Sequence, residues 1–266
     1  MANLYQAAAG MDRLERLSLG DSPVHRLHPL AKLLTTIAYM GVVISFPPYN
    51  ISGLIAFLAY PFLLAPASGT PLRPLAGRLA CALPFSFMAA VSNLFLIHGA
   101  AFTLGGFTVS FGLLSFTSIM LKTLLTVFAV LLLIATTPFT DISSQLAALR
   151  VPKIICLQLI MSYRYTGLLL REAASMMTAY FLRAPVRRGI RMKDMGSFLG
   201  QLILRSSRRA DRVYLSMKCR GFQGVYRGRR LSGPGPRDWV YTAALVSAIF
   251  FLRFFNLSVF LGRLAG

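Results

Sequence analysis

The sequence predicts an all-α membrane protein of about five transmembrane helices, with a cytoplasmic three-helix module before the last span. Hydrophobic residues make up 56% of the 266 residues and charged residues only 14%, which is far from the usage of soluble domains. Residues 33–72 and 79–121 contain no Asp, Glu, Lys or Arg. Of the formal net charge of +20, residues 138–237 carry +15, from 19 Lys and Arg against 4 acids.

The predicted spans follow from the thickness of a bilayer. A hydrocarbon core of about 30 Å is crossed by roughly 20 apolar residues in an α-helix, because lipid offers the backbone no other hydrogen-bonding partner. The candidate segments are about 30–46, 51–66, 79–97, 111–137 and 239–257. The second segment is short, and Pro61 interrupts it.

The orientation of these spans is predicted from the short loops, because Lys and Arg are retained on the cytoplasmic side. A basic N-terminal segment and a loop with Arg73 and Arg78 alternate with uncharged loops at 47–50 and 98–110. We therefore expect a cytoplasmic N-terminus without a removable signal peptide. The last span would end outside, although Arg253 and Arg263 argue against that crossing.

The cytoplasmic region has apolar residues at helical spacing among its cations, which predicts three helices. The first begins near Pro138 and Asp141 and ends at Pro152, the second covers 154–183, and the third covers 198–220 with Gly221 as its C-terminal cap. The first half of the second helix is apolar enough either to cross the membrane or to lie on its inner surface.

The resulting domain organisation has five parts. They are a cytoplasmic N-terminal segment (1–29), a four-helix transmembrane region (30–137), the coupling helices (138–224), a basic linker (225–238) and a final span with the C-terminus (239–266). The basic region could bind nucleic acid, anionic lipid headgroups or an acidic partner protein, and composition does not separate these ligands.

Cysteine and histidine do not predict a metal site. Cys81, Cys156 and Cys219 lack CxxC spacing, so we expect neither a zinc site nor a disulfide framework. A metal site needs two to four convergent ligands, and we do not expect the three histidines, His25, His28 and His98, to form one.

Lys122 is the only charged residue in the fourth predicted span. Burying an ammonium group in lipid costs at least about 2.5 kcal/mol unless it faces protein or water. We expect Lys122 to bond to Asn93, Ser92 or backbone carbonyls of a neighbouring helix, and the alternative is a substrate contact.

Several short motifs resemble those of a known family. They are Thr136-Thr137-Pro138, Leu149-Arg150-Val151-Pro152, Tyr163-Arg164-Tyr165, Glu172, Arg209-Ala210-Asp211-Arg212-Val213-Tyr214 and Cys219-Arg220-Gly221-Phe222. Together with the entry to the first span at 27–33, they resemble the transmembrane coupling subunit of energy-coupling factor transporters. The subgroup that they resemble most serves cobalt or nickel uptake.

The resemblance implies a subunit without catalytic activity, in the inner membrane of the cell. It joins two cytoplasmic ATP-binding subunits to a metal-binding membrane subunit, with or without a small accessory membrane subunit. ATP and Mg²⁺ would be bound by those partners, so no cofactor is expected in this chain. The sequence contains no GxxxxGK[ST] phosphate loop, which agrees with this division of labour.

The resemblance also implies two arginine motifs, each of which ends a coupling helix and docks in a groove of one ATPase. The second motif matches Cys219-Arg220-Gly221, with Cys where the family has Ala. The first falls at Leu182-Arg183-Ala184, which departs from the pattern on both sides of the arginine, and Arg188-Gly189 is a rival position. The alternative is that these arginines only cap their own helices.

Other residues are candidates for supporting the coupling helices: Arg164, Glu172, Asp211 and Arg212. Arg164 or Arg171 could pair with Glu172 or Asp141 and brace two helices. Alternatively, Tyr163-Arg164-Tyr165 could form an interfacial aromatic belt.

Alternative functions are a coupling subunit for a vitamin or other micronutrient, a self-sufficient secondary transporter and a membrane-tethered nucleic-acid binder. A secondary transporter predicts ionisable groups at mid-bilayer and an internal repeat, whereas Lys122 is the single such group in the apolar spans and we detect no repeat. A nucleic-acid binder predicts base-stacking aromatics among the cations, but here the cations alternate with Leu, Ile and Met. We therefore expect no nucleic-acid partner.

Overall fold

The structure is a computed structural model that describes residues 10, 15, 17–48, 51–96, 100–104, 107–146, 149–183, 189–224 and 233–254. It divides into two compact units. We call residues 17–138 with 232–266 the apolar unit, and residues 1–16 with 139–231 the basic unit.

The apolar unit consists of helices and one hairpin. They are α1 (Pro29–Ile44), α2 (Ile51–Ala56), α3 (Ala59–Ser68), α4 (Leu72–Leu96), β1 (Ala100–Leu104), β2 (Phe107–Ser110), α5 (Phe111–Thr136) and α9 (Pro236–Phe254). Two of the described helices are long and apolar enough to cross a membrane, over Pro74–Phe95 and Phe111–Thr136. The apolar helices over Pro29–Ile44 and Gly53–Ser68 are shorter.

The core of the apolar unit joins α9 to the N-terminal helices. Tyr39 and Val43 of α1 lie with Leu125 of α5 and Ile249 of α9 in one buried cluster, and none of the four is more than 3% exposed. The side chains of Tyr39 and Tyr60 stack with a centroid distance of 4.4 Å. The last described helix is therefore an integral part of this unit.

The predicted second span is divided into α2 and α3. Pro61 lies in the first turn of α3 and has no N–H to donate to the carbonyl of Phe57, four residues earlier. The Tyr39 hydroxyl donates to that carbonyl instead, at 2.9 Å. The break in the helix is thus satisfied by a side chain from α1.

Cations from other helices bind the carboxyl end of α1. Lys122 Nζ donates to the Phe46 carbonyl at 2.6 Å, and the Arg253 guanidinium donates to the Ser45 carbonyl at 3.1 Å and lies over the Phe46 ring. This confirms a backbone carbonyl as the partner of Lys122. Asn93 instead donates to Ser115 Oγ at 3.1 Å and so links α4 to α5.

The opposite end of the apolar unit is also held by polar contacts. Lys32 Nζ is buried and donates to the carbonyl of Thr136, the last residue of α5, at 2.8 Å. The His28 N–H donates to Asp238 Oδ1 at 2.9 Å. Because α9 meets His28 at its start and Ser45 near its end, α9 runs parallel to α1.

A short hairpin occupies the segment for which the sequence predicts an uncharged loop. β1 and β2 pair antiparallel, with Leu104 opposite Phe107 and Ala100 opposite Ser110. The Ser110 hydroxyl then accepts from the Gly112 N–H and caps the start of α5. His98 lies outside the described residues.

The basic unit contains the three predicted cytoplasmic helices with altered bounds: α6 (Phe139–Leu146), α7 (Lys153–Arg183) and α8 (Met192–Cys219). The prediction that the first helix continues to Pro152 is wrong, because Arg150 has a φ of +64° and the Val151 N–H folds back to the Leu146 carbonyl. The predicted start of the third helix at 198 is also wrong. Asp194 lies in the first turn of α8, where its carboxylate stabilises the helix by interacting with the positive end of the helix dipole.

We predict that Lys122→Met destabilises the apolar unit by about 1–3 kcal/mol, because the Phe46 carbonyl loses a charged donor. The fraction of folded protein during a titration with sodium dodecyl sulfate measures this change. Leu113→Met, at an exposed position of the same helix, is the control and should have little effect. Equal stability of the two variants would show that the Lys122 bond contributes nothing.

Candidate functional site on the basic unit

The basic unit presents α7 and α8 as an antiparallel helical hairpin. Near the connection between them, Tyr180 donates to Asp194 Oδ2 at 2.7 Å. Farther along, Glu172 of α7 meets Arg205 of α8. Going back along α7 from Tyr180 to Glu172, the contacted residue moves forward along α8 from Asp194 to Arg205. The two helices are therefore antiparallel.

Glu172 fastens the two helices with both of its carboxylate oxygens. Oε1 accepts from Arg205 Nη1 at 2.8 Å and Oε2 accepts from Arg209 Nη2 at 3.2 Å. The two arginines are four residues apart and thus share one face of α8. Of the pairings considered for Glu172, the one with Arg164 is absent, because these two α8 arginines reach the carboxylate and Arg164 forms no ion pair among the described residues.

The Tyr163-Arg164-Tyr165 motif serves two different surfaces. The Tyr163 ring stacks on Phe139 with a centroid distance of 4.7 Å, and this contact holds α6 against α7. Arg164 and Tyr165 instead line a groove between α7 and α8. Tyr163 therefore joins α6 to α7 by ring stacking, which is not the ion pair predicted as a brace, and the interfacial aromatic belt stays a prediction.

Cys219-Arg220-Gly221 forms the carboxyl end of α8. Gly221 has a φ of +76°, and its N–H donates to the Lys218 carbonyl while the Phe222 N–H donates to the Met217 carbonyl. This is the Schellman arrangement, in which a left-handed glycine satisfies the last helical carbonyls. The predicted glycine cap is confirmed, and Arg220 is held at the helix end with an exposed side chain.

The first arginine motif is only partly within the described chain. Arg183 is the last residue of α7 and is exposed. Ala184 and the rival position Arg188 lie outside the described residues. Arg183 and Arg220 thus both stand at the carboxyl end of a long helix.

A groove of about 500 Å³ between α7 and α8 collects arginines from both helices. Its lining residues are Met161, Arg164, Tyr165, Arg209, Arg212, Val213, Ser216, Met217 and Arg220. On α8 these residues recur every three or four positions, which is the spacing of one helical face. That spacing could have predicted the α8 wall from sequence, but the approach of Arg164 from α7 could not.

Much of the apolar stripe on α8 is uncovered. No described residue of α8 is buried, and Leu199, Ile203, Leu204 and Leu215 are each between 48% and 65% exposed. Asp211 is exposed on the same helix and lines neither this groove nor the adjacent cavity. An apolar stripe of this kind marks a surface for a partner.

The histidines and cysteines in the described ranges form no metal centre. No group of three or more His, Cys, Asp or Glu side chains converges within those ranges. His25 contacts Ser22 Oγ at 2.7 Å and the Leu17 carbonyl. His28 accepts from the Leu30 N–H and caps α1.

We predict that Glu172→Gln loosens the α7–α8 hairpin at a cost of about 0.5–1 kcal/mol, because these ion pairs are partly exposed to solvent. Spin labels at Ser175 and Gln201, in protein whose native cysteines are replaced by serine, report the distance between the helices. The distribution should broaden. Asp211→Asn removes an acid that forms no ion pair within the described ranges and should leave the distribution unchanged, whereas equal broadening in both variants would refute the role of Glu172.

We also predict opposite effects of alanine at two glycines of the same helical segment. Gly221→Ala should destabilise the helix end by about 1 kcal/mol, because an L-residue is strained at positive φ. Gly200→Ala, in the helix interior with open space around the added methyl group, should stabilise α8 by up to about 1 kcal/mol. Hydrogen exchange of the amides at 217–224 should accelerate in Gly221→Ala alone, and unchanged exchange would contradict the capping role.

Comparison with known proteins identifies the family. A family model described as cobalt transport protein (CbiQ) matches residues 20–230. No curated protein matches the chain. The matched range contains the arginine groove, the ion pairs of Glu172 and both long apolar helices. The chain therefore belongs to the CbiQ family of cobalt transport proteins, and its apolar helices and family place it among the membrane components of transporters.

Proposed function

We propose that this chain is the transmembrane coupling subunit of an ATP-driven energy-coupling factor importer for cobalt or nickel. In this role it links two cytoplasmic ATP-binding subunits to a membrane subunit that captures the metal ion, with or without a small accessory membrane subunit. The metal is the cargo, and ATP and Mg²⁺ are bound by the partners. The cobalt transport family supports the transport role.

The observation that carries the proposal is the presentation of Arg220. The Schellman turn at Gly221 holds it at the end of a helix of 28 residues, and its exposed guanidinium forms no ion pair with a described residue. A guanidinium presents a rigid fork of donors that can bind a carboxylate at two points. An arginine fixed at a helix end can therefore transmit a displacement of a docked partner along the helix axis.

The architecture of the hairpin supports transmission of such a displacement. Glu172 ties α7 to α8 through two arginines, and Tyr180 ties the connected ends together. Arg183 lies at the carboxyl end of α7 and Arg220 at the carboxyl end of α8. Each of the two ATP-binding subunits would therefore bind one of these arginines. The uncovered apolar stripe of α8 offers a second surface, which we assign to the metal-capturing membrane subunit.

The apolar unit supports the proposed five-span topology. His28, Thr136 and Asp238 lie at one end of this unit, because Asp238 binds the His28 N–H and Lys32, in the first turn of α1, binds the Thr136 carbonyl. The basic N-terminal segment and the basic unit both adjoin this end in the sequence. We therefore propose that this end faces the cytoplasm, with the chain in the inner membrane.

We predict that Arg220→Glu uncouples the transporter. The substitution should reduce retention of the ATP-binding subunits at least about tenfold, because it replaces one member of a charge pair with a repelling charge. Co-purification of the complex and uptake of radioactive cobalt by cells measure the two consequences. Membrane insertion of the variant should be unchanged.

Arg208→Glu is the matched control for this experiment. Arg208 lies on the same helix, is also exposed, and lines neither the groove nor the adjacent cavity. It should retain the ATP-binding subunits and support uptake. If Arg220→Glu behaves like Arg208→Glu, Arg220 is not the coupling residue.

A further inference from the structure

The arginine groove between α7 and α8 has a large uncompensated positive charge. Arg164, Arg209, Arg212 and Arg220 line it, and no acidic residue does so within the described ranges. Within the part of the chain that the structure describes, Arg209 is the only one of the four that pairs with a carboxylate, that of Glu172. Four guanidinium groups around one cavity repel one another, and a bound anion would relieve this repulsion.

The walls of the groove can clamp an anion from two sides. Arg164 projects from α7, whereas Arg212 belongs to α8. Guanidinium groups bind phosphate oxygens in a bidentate manner. An anion with several oxygens, such as a phosphodiester, can therefore accept from both helices at once.

An apolar channel continues from the groove. A second cavity of about 450 Å³ shares Met161, Tyr165, Arg209, Val213 and Met217 with the groove and extends to Leu169 and Ile203. Free phosphate would leave this channel empty. A ligand with a phosphate at one end and an alkyl chain at the other would fill both cavities.

The position of the basic unit in the sequence points to the source of such a ligand. Phe139, the first residue of α6, follows Thr136, the last residue of a candidate membrane span, by three residues. If the chain leaves the bilayer at this point, the phosphate esters nearest to the start of the basic unit are those of the lipid headgroups. Anionic leaflets attract basic segments of this kind.

We propose that the arginine groove binds the headgroup phosphate of an anionic phospholipid, with part of an acyl chain in the adjoining apolar channel. This lipid would fill the space between α7 and α8 and stabilise their spacing. The proposal does not depend on docking of Arg220 to an ATPase, because Arg164 and Arg212 carry it.

The test uses the full chain purified in a neutral detergent. Native mass spectrometry measures binding of dioleoylphosphatidylglycerol, with dioleoylphosphatidylcholine and glycerol phosphate in parallel arms. We expect selective binding of phosphatidylglycerol. The double variant Arg164→Gln/Arg212→Gln should weaken this binding roughly 25-fold, since each basic residue near an anionic surface contributes roughly fivefold to binding.

The control is Arg208→Gln, which removes one positive charge from an exposed position that lines neither cavity, and it should leave binding unchanged. Arg209 is not substituted, because it also holds Glu172. Circular dichroism without lipid establishes that each variant is folded. If the double variant is not, Arg164→Lys and Arg212→Lys preserve the charge, remove the guanidinium fork and should each weaken binding to a smaller extent.

Three outcomes would overturn the proposal. Equal binding of phosphatidylglycerol by the double variant and by Arg208→Gln would show that the groove is not the site. Equal binding of glycerol phosphate and intact lipid would show that the channel holds no acyl chain. Loss of ATPase co-purification with unchanged lipid binding in the double variant would show that the groove receives an acidic protein segment instead.

Discussion

The apolar unit depends on the requirement that every backbone polar group within a bilayer finds its partner inside the protein. In the described part of this unit, breaks in the regular helical bonding at Pro61 and at the end of α1 are satisfied by side chains from other helices. Pro61 leaves the Phe57 carbonyl without its helical donor, and Tyr39 supplies one. The last carbonyls near the end of α1 receive Lys122 and Arg253. Each repair also joins one helix to another, so satisfying the backbone organises the packing.

The same principle accounts for three cations within the apolar helices. A lysine in a span is costly unless it faces protein or water, and a helix carboxyl end carries a partial negative charge. Lys32 binds the last residue of α5 and Lys122 binds the carbonyl that follows α1. Arg253 completes the set by joining α9 to α1. These cations therefore link neighbouring helices by hydrogen bonds, and a role in substrate binding is not needed to explain their presence.

The basic unit uses charge differently, because its helix ends are exposed to solvent. The end of α8 is satisfied by its own glycine turn, which leaves the guanidinium of Arg220 available to another molecule. Glu172 pairs with Arg205 and Arg209, Arg191 pairs with Asp194, and Arg164, Arg212 and Arg220 line the groove. No described residue of α8 is buried. Exposed apolar surface of this kind is typical of a protein–protein interface. This is the arrangement expected of a component that joins other subunits.

The sequence alone determined the class of the protein, the positions of most helices and the glycine cap at Gly221, because these depend on local periodicity, on charge-free length and on short motifs. It also predicted polar groups of a neighbouring helix as partners of Lys122, with a substrate contact as the alternative. It could not determine that Glu172 reaches Arg205 and Arg209, that Tyr39 satisfies the break before Pro61, or that Arg164 and Arg212 face one groove. Those features depend on which helix lies beside which and at what rotation. The tertiary structure decided them. A long side chain can form contacts of similar energy with several neighbours, and the packing of the helices selects one of these contacts.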